Sequence, residues 1–125
     1  MSYIMKYLKL YVNLEMQRVN IMQKISTEFR KGILFIRIKG RFNNESFKKT
    51  TNYLINNIGI KIIVLNISNL EYFSLEDIEH IINYKKQILK KKRKLIICDN
   101  KTTDELFFFK EIPRINKEID AFSLI

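Results

Sequence analysis

The run Lys61–Asn66, KIIVLN, is apolar on both of its alternating faces. A strand of that kind has to be covered from both sides, the condition of a central strand among parallel neighbours. A second short apolar run, KLIICD over Lys94–Asp99, makes the same demand. Between them, from Ser74 to about Lys91, the spacing puts Ile78, Ile81, Ile82, Ile88 and Leu89 on one face of a helix. Two buried strands joined through a helix need a crossover connection, which makes them parallel. These features predict an α/β domain.

The flanking sequence extends the pattern. Lys24–Arg30, KISTEFR, alternates Ile25, Thr27 and Phe29 on one face. Ile33–Lys39, ILFIRIK, sets Ile36 and Ile38 against Arg37 and Lys39. Lys31-Gly32 between them is a turn signal, so the pair predicts a hairpin. Gly40 to Asn44 breaks the strand, and Glu45–Asn57 reads as a first helix with Asn43 or Asn44 as N-cap. Its inner face is Phe47, Thr50 or Thr51, Leu54 and Ile58, and Gly59 fits its C-terminal end. The strand KIIVLN is expected to open at Asn66 into a loop reaching Phe73. Ser74 then caps the second helix, with Asp77 completing a capping box. Thr102 or Thr103 caps a third helix through Glu111, Pro113 follows, and Ile119–Leu124 forms a short last strand. The predicted order is β-β-α-β-α-β-α-β, a mixed sheet of about four to five strands in one small domain, residues 23–125. Residues 1–22 form an N-terminal extension without clean periodicity. It reads as a short amphipathic helix, on which Ile4, Leu8, Tyr11 and Leu14 share a face, or as a mis-assigned start.

Composition narrows the chemistry. The only histidine, His80, has no second histidine or cysteine near it, and the only cysteine, Cys98, lies in an apolar run and reads as a small core residue. A zinc site needs more ligands than these. The glycines Gly32, Gly40 and Gly59 are too scattered for a phosphate-cradling loop. No enzyme, metal or cofactor is predicted. The single cysteine and the lack of a membrane-length apolar run predict a cytoplasmic protein. Of the net charge of +10, most comes from the acid-free stretch Lys85–Lys94. Its reading is a solvated helix end in a lysine-biased proteome. The alternative is an anionic partner, with phosphates contacted but no sequence read.

One resemblance stands out. A hairpin, the residues Gly40, Arg41, Phe42 and Asn43, a helix, IVLNISNLEYFSLEDI, a long helix and KLIIC together resemble the STAS domain of anti-sigma factor antagonists. The family's first landmark reads roughly Gly-Glu-Leu-Asp, and Asn43 stands in place of its aspartate. Its second landmark carries a phosphorylatable Ser or Thr at the start of the second helix, and Glu76 occupies that position. Ser74, Leu75 and Asp77 replace the family's Asp, Ser and Gly around it. The resemblance implies a binding module without chemistry of its own, whose partner is a kinase-like anti-sigma factor and whose docking ends when a phosphate is added.

The partner-binding surface implied is the Asn43 loop, the segment holding Ser68, Asn69, Tyr72, Ser74, Glu76 and Asp77, and the helix face with Glu79, His80 and Asn83. Phe73 is expected in the core and Tyr72 at the rim. Glu76 has three readings: a permanent mimic of phosphoserine, the remnant of a lost switch, or a first-turn carboxylate favoured by the helix dipole. Ser74 is the alternative acceptor. STAS-like domains also accompany membrane transporters, including lipid-export systems. A transport accessory subunit is therefore the second function class, and a nucleic-acid or anionic-membrane binder the third.

Overall fold

The computed structural model describes residues 22–57, 59–72, 74–100 and 112–125. Lys24–Arg30 (β1) and Ile33–Arg41 (β2) form an antiparallel hairpin. Its two-residue turn, Lys31-Gly32, has positive φ at both positions, the geometry that matches strand twist. Helix α1, Asn44–Thr51, follows, then a 3₁₀ turn at Leu54–Asn56. Ile62–Tyr72 (β3), helix α2 (Leu75–Lys90) and Lys94–Cys98 (β4) come next. The chain closes with Arg114–Ile115 (β5) and a 3₁₀ helix, Glu118–Leu124. The five strands make one sheet in the order β1-β2-β3-β4-β5, parallel from β2 onward. The predicted mixed α/β sheet is the one observed.

Both faces of β2, β3 and β4 are covered. Leu34, Ile36, Ile63, Leu65, Leu95 and Ile97 point to the core under the helices, where Phe47, Ile78, Ile81, Tyr84 and Ile88 meet them. Ile33, Phe35, Ile62, Val64, Ile96 and Cys98 point the other way, against Ala121 and Phe122 of the C-terminal 3₁₀ helix. That second layer explains why KIIVL and KLIIC carry no polar face. Cys98 serves it as a small apolar residue, and burial pushes its thiol up to about 11, out of the reactive range. Further along the same face the packing becomes polar. The Arg37 guanidinium donates to both Glu118 carboxylate oxygens, at 2.8 and 2.7 Å, and Asn66 Nδ2 donates to the same carboxylate at 2.7 Å. Arg37 and Asn66 are cross-strand partners, so this carboxylate clips the C-terminal segment across β2 and β3.

Five expectations are corrected. The first concerns the loop expected from Asn66 to Phe73, which is strand up to Tyr72. Residues Asn66–Tyr72 pair with β2 through two register shifts, so β3 takes extra residues opposite its partner. Such bulges break strict alternation and hide a strand from pattern reading. Asn66 Oδ1 accepts from Ser68 N at 3.0 Å, satisfying a backbone group in the bulged stretch. Correspondingly, β2 does not stop at Gly40 but runs to Arg41. Gly40 has φ +88, a backbone state that glycine adopts freely.

Second, α1 ends at Thr51 rather than Asn57. Thr51 Oγ1 donates back to Phe47 O at 2.7 Å, and Asn56 Nδ2 donates to Asn52 O at 3.4 Å, side-chain bonds that compete with the helical pattern. Gly59 therefore caps no helix. Third, the inward face of α2 includes Tyr84, while Leu89 is 52% exposed. Fourth, Phe29 is 54% exposed although it shares a face with the half-buried Ile25. Fifth, residues 119–124 are 3₁₀ helix, and the last strand is Arg114–Ile115. Most of the N-terminal extension, Ile58, Phe73 and the third helix expected at 102–111 lie outside the described residues.

The helix-side core centres on three rings. Phe47 packs on Phe42 at 5.4 Å and edge-on to Tyr84 at 4.8 Å between centroids. Replacing Phe47 with Ala is expected to cost about 3–5 kcal/mol, measured as a fall in urea-unfolding free energy. A second test uses pH. Hydrogen bonding from Arg37 holds the Glu118 carboxyl below the ordinary glutamate range. The stability it lends is complete above the unfolded value, about pH 4.3, and is lost as pH falls below it. Glu118→Gln should flatten that acid limb in urea titrations repeated at successive pH values.

Candidate functional site

The C-terminal ends of β2 and β3 are joined rung to rung, with Arg41 paired to Tyr72. Two residues beyond each lies a helix N-cap, Asn43 on one chain segment and Ser74 on the other. The β2–β3 register thus sets the two helix starts side by side on the edge where ligands of parallel sheets gather.

Each start is closed by its own side chains. Asn43 Oδ1 accepts from Ser46 N at 3.0 Å. Gln23 bridges to it from the opening of β1. Its Oε1 accepts from Asn43 N at 2.9 Å, and its Nε2 donates to Asn43 O at 3.0 Å and to Ser46 Oγ at 2.7 Å. At α2, Ser74 Oγ accepts from Asp77 N at 3.1 Å while Asp77 Oδ2 accepts from Ser74 N at 2.9 Å. The expected capping box is present, and Ser74 and Asp77 are half-buried within it.

The remaining predicted residues divide by exposure. Asn69, Glu76, Glu79 and Asn83 are exposed, and Ser68 and His80 are half-buried. Ser68 Oγ accepts from Asn100 N at 3.3 Å, which links the β3 bulge to the end of β4. Glu76 stands 82% exposed, with His80 Nε2 at 3.7 Å from its Oε1 one turn along. At such exposure this pair is worth little. Tyr72 closes β3; its side chain and Phe73 lie outside the described residues.

Two residues escaped the sequence reading. Gln23 carries no motif, and only its contacts reveal it. Leu75 is 63% exposed beside Glu76. Its helical spacing from Ile78 and Ile82 assigns it inward, but it is the first residue of the helix and is exposed. The signal available was position: an apolar residue in the first turn of a helix, directly after its N-cap.

The arrangement is a shaped polar edge with one leucine projecting from it, suited to recognition. Among the described residues no group of three His, Cys, Asp or Glu side chains is placed to hold a metal. None of the described helices is long and apolar enough to cross a membrane.

Comparison with known proteins agrees with this fold. A family model described as the STAS domain matches residues 24–110. The fold is similar to that of an anti-sigma factor antagonist from Mycobacterium paratuberculosis, with TM-score 0.67 and 11% identity over 82% of this chain and 93% of that one. It is also similar to the antagonist SpoIIAA in its unphosphorylated form, with TM-score 0.65 and 13% identity over 81% and 96% of the two chains. The phosphorylated form of SpoIIAA, a Bacillus cell fate determinant, gives TM-score 0.62 and 12% identity over 82% and 100%. At these identities the likeness is one of fold. No curated protein matches the sequence.

The cap is open to direct test. Ser74→Ala is expected to lower stability by about 0.5–2 kcal/mol in urea unfolding, and Ser74→Thr to retain most of it.

Proposed function

This chain belongs to the STAS domain family, and on that premise we propose that it is a regulatory protein-binding module resembling an anti-sigma factor antagonist. Its partner is a kinase-like anti-sigma factor or a related signalling protein in the cytoplasm. The contact surface runs from Asn43 across Ser68, Asn69, Tyr72, Ser74, Glu76 and Asp77 to Glu79, His80 and Asn83. The observation that carries this reading is the Arg41–Tyr72 rung, which brings the two family landmarks together at one exposed edge. Leu75 adds an exposed apolar anchor at its centre.

The module works without the usual phosphate switch. Glu76 has no hydroxyl to accept a phosphoryl group, and it sets a carboxylate in the acceptor's place. Ser74 is a poor substitute. Its Oγ is engaged in the cap, and the Asp77 carboxylate beside it repels an incoming dianion. That carboxylate in the acceptor's place also favours a second reading, an accessory subunit of a membrane transport assembly, where docking is constant.

Purified protein incubated with ATP and a kinase-like anti-sigma factor of the same organism is expected to gain no phosphate by intact mass. Glu76→Ser is expected to gain one, which Ser74→Ala leaves in place. In titration calorimetry, Leu75→Asp should weaken that partner roughly tenfold or more, as expected of a central apolar anchor. A phosphate on the native chain that Ser74→Ala removes would revive the switch at Ser74. Binding of a transporter ATPase subunit in place of the kinase-like protein would select the second reading.

A further inference from the structure

The opposite edge of the sheet, where β2, β3 and β4 begin, has a different character. Three stretches build it: the hairpin end from Phe29 to Leu34, the connection from Asn52 to Ile63, and the end of α2 through Leu95. None of the three contains an aspartate or glutamate. The carboxylates Glu45, Glu71, Glu76, Asp77 and Glu79 lie toward the far edge, at the helix starts and the end of β3, while Glu28 pairs with Arg30 at 3.4 Å beside the hairpin end. Away from that pair the edge is lysine-rich and exposes Lys61, Lys86, Lys90, Lys91, Lys92 and Lys94. Lys91 Nζ donates to Asn56 Oδ1 and Arg93 Nη2 to Asn57 O, so the end of α2 is tied to the connection before β3 and the cations form one surface.

Carbon is exposed among these charges. Leu89 stands within the lysine run, Tyr53 is 64% exposed on the neighbouring turn, and the Phe29 ring lies against Gly59. An apolar groove of about 230 Å³, lined by Phe29, Leu34, Leu54 and Ile60 among others, opens at the same end.

We infer that this edge is a docking surface for the anionic face of a lipid bilayer, distinct from the protein-binding edge and independent of that assignment. Charge complementarity carries the choice of partner. Lysines act as flexible point charges suited to a diffuse headgroup layer, whereas phosphate and base recognition favours the arginine fork, and this surface is almost all lysine. A leucine among lysines cannot hydrogen-bond a base, but it partitions into the headgroup boundary. Tyrosine, apolar with a polar tip, suits the same depth.

Sedimentation of the full chain with lipid vesicles tests the assignment. It should bind phosphatidylcholine vesicles containing roughly a third phosphatidylserine, ignore pure phosphatidylcholine, and be released as salt rises. The combined variant Lys86→Gln, Lys90→Gln and Lys92→Gln should lose on the order of 100-fold in affinity, near fivefold for each lysine. Leu89→Asn should weaken binding severalfold while leaving its salt dependence unchanged. These positions are exposed, so an unchanged urea midpoint confirms that the variants fold. No binding to the acidic vesicles, equal binding of the triple variant, or tighter binding of an RNA hairpin or DNA duplex than of the vesicles would overturn the inference.

Discussion

Everything in this molecule depends on the pairing of β2 with β3. These are the longest strands of the sheet, and between Ile33 and Leu65 they are covered on both faces. Burying backbone that deeply is tolerable only when its polar groups are satisfied by neighbouring strands, so the pair cannot form without its register. The register in turn aligns Arg41 with Tyr72, and that alignment decides where both helices begin. The hydrophobic layers supply the driving force, but the rung between these strands supplies the geometry.

The parts of this plan with a clean period were legible in the sequence. KIIVL and KLIIC declared a two-sided sheet, and the capping box at Ser74 and Asp77 marked the start of α2 to the residue. The second covering layer was implied by those runs, but its source, the segment with Ala121 and Phe122, was read as a strand. Two residues of real strand at Arg114–Ile115 carry too little pattern to be seen.

The candidate site was harder to read. The segment from Asn66 to Tyr72 mixes asparagine and serine into a strand and adds bulges, so a ladder looked like a loop. Composition described it truthfully as polar and irregular; what composition cannot show is that Asn66 spends its side chain on Ser68 N and on Glu118. The candidate surface was assigned through the order and spacing of landmarks, whereas Gln23 depended on contacts across twenty residues that no local motif encodes. The two edges of the sheet differ in character because each parallel strand has one beginning and one end. One edge collects helix starts, capping side chains and acids; the other collects helix ends and lysines.

The distance from rung to cap is two residues on both segments, Arg41 to Asn43 and Tyr72 to Ser74. Adding or deleting one residue in either connection turns the following helix by about 100° and carries its apolar stripe out of the core. Substitution carries no such penalty where the side chain faces water. The architecture therefore constrains the length of these two spacers more tightly than the identity of water-facing residues, in keeping with solved structures that share the fold at 11% and 13% identity.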